Sequence, residues 1–216
     1  MFLFSVNNFC KNFDFIKNIC ILTGLYYVDF MADKILFSAY KESSYKEFSQ
    51  ASEDIERLKN NPDALVDKAY EYLEKNEYSL ALKILSYCLS IDPEDPEVLN
   101  GLGIALCELG ELDESKIILE RAIRYHPDDA LSYANLAGVY WEFDDYEKAI
   151  FYYQKSIDLD PEISDSYYNL TNLYAEIGLT YMAFITCNEF VKNFPDDPEG
   201  KELMDNVMLD LALSMY

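Results

Sequence analysis

Residues 130–163, ALSYANLAGVYWEFDDYEKAIFYYQKSIDLDPEI, decide how this chain folds. The stretch reads as helix, short turn, helix. It opens just after Asp129, whose side chain suits a helix N-cap, and it closes on Pro161, which ends a helix. Between them, small residues (Ala137, Ala149) alternate with large ones (Tyr140, Tyr153) where two helices approach closely.

The same stretch recurs three more times at a period of 34 residues, and such a period marks a repeat array. Pro93, Pro127, Pro161 and Pro195 stand 34 apart, as do Ala81, Ser115, Ala149 and Ala183. So do Leu85, Leu119, Tyr153 and Cys187, then Tyr72, Leu106, Tyr140 and Tyr174, then Ala69, Gly103, Ala137 and Thr171. The units are 62–95, 96–129, 130–163 and 164–197. Their first helices are expected to begin at Asn61-Pro62, Asp95-Pro96, Asp129-Ala130 and Ser164, and a further helix at Asp197-Pro198. A capping side chain followed by Pro at the first helical position is a start signal, because Pro lacks an N–H that would be unsatisfied there anyway.

These columns resemble the tetratricopeptide repeat family. The second unit carries Leu99, Leu102-Gly103, Leu106, Ser115, Leu119, Ala122 and Pro127. The third carries Tyr133, Leu136-Ala137, Tyr140, Ala149, Tyr153, Ser156 and Pro161. The fourth carries Tyr167, Leu170-Thr171, Tyr174, Ala183, Cys187, Phe190 and Pro195. The first departs most, with Leu65, Lys68-Ala69, Tyr72, Ala81, Leu85, Cys88 and Pro93. Phe190 stands where the family prefers Ala, which predicts looser packing at the end of the array. The resemblance implies an all-α, right-handed superhelical solenoid of four helix-turn-helix units that binds a peptide or partner helix on its concave face.

Composition agrees. Half of the 216 residues are apolar, too many for a disordered chain, and Gly and Pro total only 14, which argues against a many-stranded sandwich or barrel. The 17 basic and 40 acidic residues give −23. A phosphate backbone repels such a surface, so nucleic acid and anionic lipid are excluded as partners. The charge is uneven: residues 1–61 carry 7 basic and 8 acidic residues, whereas 62–216 carry 10 and 32. The boundary falls near Asn61-Pro62.

Five cysteines, none in a C-x-x-C pair, read as reduced thiols of a cytoplasmic protein rather than a disulfide framework or zinc site. Residues 1–43 read as an N-terminal extension. The uncharged run Asn18–Val28 is too short to span a membrane. It leaves three readings open: a segment upstream of a start at Met31, an export signal preceded by Lys11 and Lys17, or an ordered part of the fold. Residues 44–61 are expected to form a flanking helix, opened by the capping box Ser44-x-x-Glu47, that lids the first unit. Residues 198–216 read as a capping helix with an unusually apolar surface, Met204, Val207, Met208 and Leu211 on one side and Leu209, Leu213 and Tyr216 on another. That surface is either packed or a seam for self-association.

The groove slots expected from the family geometry repeat at 34 residues. Of 24 slots, eight are acidic and none is basic. Glu74, Glu108, Glu142 and Glu176 form one column near helix C-termini, where negative charge is mildly unfavourable, by about 0.3–1 kcal/mol. Two readings follow: surface acidity inherited by duplication, or an acidic trough for a basic segment of a protein partner. Asn135 and Asn169 share a slot in successive units, and the resemblance implies that such asparagines bond the backbone of an extended ligand. Tyr70, Trp141 and Tyr168 are candidate aromatic anchors; packing against the neighbouring helix is the alternative for each. Family members that clamp the acidic C-terminus of heat-shock chaperones use Lys, Arg and Asn in these slots; this groove has no Lys or Arg, so that partner class is not expected.

No catalytic constellation emerges. His126 is the only histidine and sits beside Pro127 in an inter-unit turn. There is no phosphate-binding glycine loop. Asp158-x-Asp160-x-Glu162 lacks the glycine of a calcium loop, and Pro161 lies inside it. No cofactor or metal is expected. The expected function is a non-catalytic interaction scaffold. A small acidic secretion-type chaperone and a subunit that self-assembles through its last helix are the alternatives.

Overall fold

The computed structural model describes residues 45–214. The expectations for residues 1–43 and for the cap at Ser44 lie outside that range. Among the described residues there are ten helices and no strand. They are α1 (Tyr45–Leu58), α2 (Pro62–Glu74), α3 (Tyr78–Ile91), α4 (Pro96–Glu108) and α5 (Leu112–Tyr125). Then follow α6 (Ala130–Glu142), α7 (Tyr146–Leu159), α8 (Ser164–Glu176), α9 (Thr180–Asn193) and α10 (Pro198–Ser214). Helices α2 to α9 form the four expected pairs.

The starts follow local chemistry. Asp95 accepts hydrogen bonds from the N–H groups of Glu97 (2.9 Å) and Val98 (3.2 Å). Asp129 accepts from Ser132 N–H (3.3 Å), and Asn61 from Ala64 N–H (3.4 Å). Asp197 accepts from Gly200 N–H (3.0 Å). Each satisfies a donor that the first turn leaves orphaned. The fourth unit differs from expectation. Its cap is Ile163, which has no side-chain oxygen to offer, and Ser164 is already the first helical residue.

The turn inside each pair has its own column. Asn76 (φ 58°), Gly110 (78°), Asp144 (58°) and Gly178 (76°) all adopt the left-handed conformation, 34 residues apart. Gly adopts it freely, and Asn and Asp are the side chains that tolerate it best. Where the residue is not Gly, a tyrosine two residues on secures it. Tyr78 Oη donates to Asn76 Oδ1 (2.7 Å), and Tyr146 Oη to Asp144 Oδ1 (2.9 Å).

Each first helix packs on its own second helix and on the second helix of the preceding unit. Successive first helices also touch one another, as α2 does α4 and α4 does α6, while successive second helices make few contacts. The array therefore curves with α2, α4, α6 and α8 on its inner side. The close-approach column is tight: a Cβ at Gly103 would lie 2.5 Å from Leu119 Cδ2. Ser115, in the Ala column, donates instead to the Gly103 carbonyl (2.7 Å).

The ends are closed differently. Ala51 of α1 is fully buried, and Asp54, held by Arg57 of the same helix (2.8 Å), accepts from the Tyr72 hydroxyl (2.6 Å), so α1 packs on the first unit. Helix α10 sits where the first helix of a fifth unit would. It buries Gly200, Leu203 and Val207 against the preceding elements. On the side where a second helix would pack, Asp205 is exposed in the Ala/Gly/Thr column. Met208, Leu209 and Leu213 are also exposed.

Phe190 corrects the expectation of loose packing. It is 1% exposed, stacks on Tyr167 (6.2 Å between centroids) and meets Phe194 edge-on (5.5 Å). A Cβ at Gly200 would lie 3.1 Å from its Cε1. The extra bulk of Phe190 is matched by a missing side chain across the junction.

Candidate functional site

The concave face is built from α2, α4, α6 and α8. Glu74, Glu108, Glu142 and Glu176 are all exposed, each the last residue of one of these helices. Tyr70, Trp141, Tyr168, Asn135 and Asn169 are half-buried. Exposed acids at Asp63, Asp67, Glu97 and Asp165 extend the negative surface along the same helices. In the slot shared by Val66, Asn100, Ala134 and Tyr168, the first three are buried rather than open and only Tyr168 is partly exposed.

Two contacts show how consecutive first helices register on this face, and both join residues 35 apart. Asn135 Nδ2 donates to Asn100 Oδ1 (3.0 Å), and Asn100 Nδ2 donates onward to Asp129 Oδ2 (2.8 Å), the cap of α6. The Ser132 hydroxyl also donates to Asp129. Trp141 Nε1–H donates to Glu176 Oε2 (3.0 Å). Both ladders favour the acceptor side chains beyond any role toward solvent. In particular, Glu176 has a local donor that offsets its unfavourable position at a helix C-terminus. The partnership of Asn100 escapes a reading of single columns, because Asn135 stands 35 residues away and Asp129 stands 29.

Tyr70 is anchored across the first junction, its hydroxyl donating to the Glu97 carbonyl (3.0 Å). Burial first, then the acids Glu97, Asp129 and Asp95, push the pKa of that hydroxyl up to about 12. It therefore stays a donor at neutral pH. Burial, and then Glu108 beside it, raise the pKa of the Tyr78 hydroxyl. Cys107 lies half-buried between the columns. Burial, Glu142 and Glu108, in that order, push the pKa of its thiol up to about 11, so it is a protonated, poorly nucleophilic group.

Family profiles described as tetratricopeptide repeat match residues 72–138, 130–163 and 152–184. The chain belongs to the tetratricopeptide repeat family. Among curated proteins it is similar to the rhomboid protease GluP of Bacillus subtilis (strain 168), 30% identical over 79 residues. That match covers 37% of this chain and 16% of the relative, so the chain spans a small part of that protein. Among solved structures it resembles a thermophilic TPR protein of Thermus thermophilus, with a TM-score of 0.67 and 18% identity over 74% of this chain and 88% of the other. It also resembles the APC/C hetero-tetramer Cut9–Hcn1, with a TM-score of 0.59 and 16% identity over 66% of this chain and 29% of the other. Similarity to the O-GlcNAc transferase of Thermobaculum terrenum has a TM-score of 0.58 and 21% identity, over 63% of this chain and 26% of the other. Identities this low speak to fold alone.

Within this tetratricopeptide repeat array, no group of His, Cys, Asp and Glu among the described residues is arranged to hold a metal ion. None of the described helices is long and apolar enough to cross a membrane. His126 Nε2 meets the Glu94 carbonyl (2.6 Å), joining one inter-unit turn to the next, and Arg121 of α5 donates to the Pro93 carbonyl (2.5 Å).

Proposed function

We propose that the array is a non-catalytic interaction module whose concave face takes a basic, extended or helical segment of a protein partner. The observation that supports this reading is the charge of the first helices. Four exposed glutamates end α2, α4, α6 and α8, one per unit, and Lys68 is the one basic residue in these four helices. A cationic segment laid along such a face meets complementary charge at each step, which speeds encounter and selects against acidic competitors. Trp141, Tyr168 and Asn169 supply anchors beside the charges. Tyr70, Asn135 and the Trp141 N–H are each already bonded across a junction, which leaves Trp141 its ring surface for a ligand.

Paired capture from native lysate tests the proposal. One bait is the wild-type chain; the other carries Glu74→Lys, Glu108→Lys, Glu142→Lys and Glu176→Lys and is checked for helicity. Partners held by the first and lost by the second are expected to share a basic segment. Identical partner sets would contradict the groove reading. A second reading, self-association through 198–216, is favoured by the exposure of Met208, Leu209 and Leu213 on α10. Light scattering that grows with concentration would carry it, and a constant monomer mass would end it.

A further inference from the structure

The residue just before each glutamate of the column is Leu73, Cys107, Trp141 or Ala175. Across the last junction this position meets the glutamate of the next unit, Trp141 bonding Glu176, and across the one before it Glu142 lies close enough to help raise the pKa of the Cys107 thiol. Trp141 is the one member of the set whose side chain is a strong hydrogen-bond donor. It is also the only tryptophan of the chain. Its indole has two fixed partners. Nε1–H donates to Glu176 Oε2 at 3.0 Å, and the ring stands perpendicular to that of Tyr153 at 6.4 Å between centroids. Tyr153 is itself 2% exposed.

We infer that Glu176 is a positioning residue. It fixes the Trp141 indole so that the ring face, rather than the N–H edge, is presented to the ligand. The side chain that meets this face is then a Lys or Arg cation. The inference rests on the proposed groove reading and sharpens it. An indole N–H already donated to a carboxylate has no hydrogen left for a ligand carbonyl. A carboxylate at that edge adds to the negative potential over the ring, and a cation over tryptophan is the strongest of the cation–aromatic pairs. Glu176 then contributes through the orientation of Trp141 as well as through its charge, whereas Glu142 contributes through charge alone.

Three variants separate the two contributions: Glu176→Gln keeps an acceptor without the charge, Glu176→Ala removes both, and Glu142→Gln removes charge only. In the free protein, selectively excited tryptophan emission and its anisotropy are expected to match wild type in Glu176→Gln. In Glu176→Ala the anisotropy falls and the emission moves to the red. With a nona-arginine peptide as probe, Glu176→Gln weakens binding at least as much as Glu142→Gln, and Glu176→Ala weakens it about fivefold further as the ring loses its fixed position. Unchanged emission and anisotropy in Glu176→Ala would overturn the positioning role whether or not the peptide binds. Equal affinities for Glu176→Ala and Glu176→Gln would reduce Glu176 to a charge. Failure of the wild-type chain to bind the peptide would overturn the groove reading, while the spectrum of the free protein still decides how Trp141 is held.

Discussion

Thr171 occupies a slot that holds Ala69, Gly103 and Ala137 in the other units. It is fully buried there, and its Oγ1 has no hydrogen-bond partner. An unsatisfied buried hydroxyl costs about 1–3 kcal/mol. Thr171→Val keeps the shape and removes the polar atom, so it is expected to stabilise the chain by about 1 kcal/mol, read from the denaturant midpoint. A loss of stability would mean that the hydroxyl is satisfied in solution. This residue was legible only in part. The column gave its position and its small-residue character, but nothing in the order of residues shows whether a hydroxyl finds an acceptor. The same limit applies to the site residues. The sequence places Tyr70 and Asn135 in groove slots, and only the three-dimensional contacts reveal that Glu97 and Asn100 engage them.

At the scale of elements, helix pairing follows from periodicity because each column serves one junction. The junction between α9 and α10 shows where single columns mislead. Phe190 looks oversized when its own column is read. It fits because Gly200 opens the facing slot, where the earlier units carry Val98, Ser132 and Ser166. Volume is conserved across the pair rather than along the repeat. A double-mutant cycle tests this coupling. Phe190→Ala alone is expected to cost about 3–5 kcal/mol. Gly200→Ala alone is expected to cost about 1–3 kcal/mol by crowding the ring. Together they are expected to cost less than the sum, since the new methyl enters the new space. Strict additivity in chemical denaturation would show that the two sites do not share volume. The left-handed column Asn76, Gly110, Asp144 and Gly178 was equally present in the sequence. Its four residue types are those that tolerate the conformation, so the turn position was there to be read.

At the scale of the whole molecule, charge and curvature act together. Residues 62–216 carry a net −22, and the array bends with its first helices inward, which gathers part of that charge on one face. Self-repulsion opposes the compact state and salt screens it. Thermal stability is therefore expected to rise between about 0.01 M salt, where the Debye length is about 30 Å, and about 1 M, where it is about 3 Å. A melting temperature that stays flat over this range would show the charges to be already balanced. Architecture was legible because four copies of one pattern reinforce each other. The ligand was not, because a solenoid presents its binding face through exposed residues that folding does not constrain. The most direct measurement is a titration of the Trp141 fluorescence with nona-arginine at low and high salt, alongside an equally long acidic peptide. A saturable change with the basic peptide is predicted, weakened by salt and lost when Glu74, Glu108, Glu142 and Glu176 are replaced by Lys. No change, or the same change with the acidic peptide, would contradict the acidic groove as the binding face.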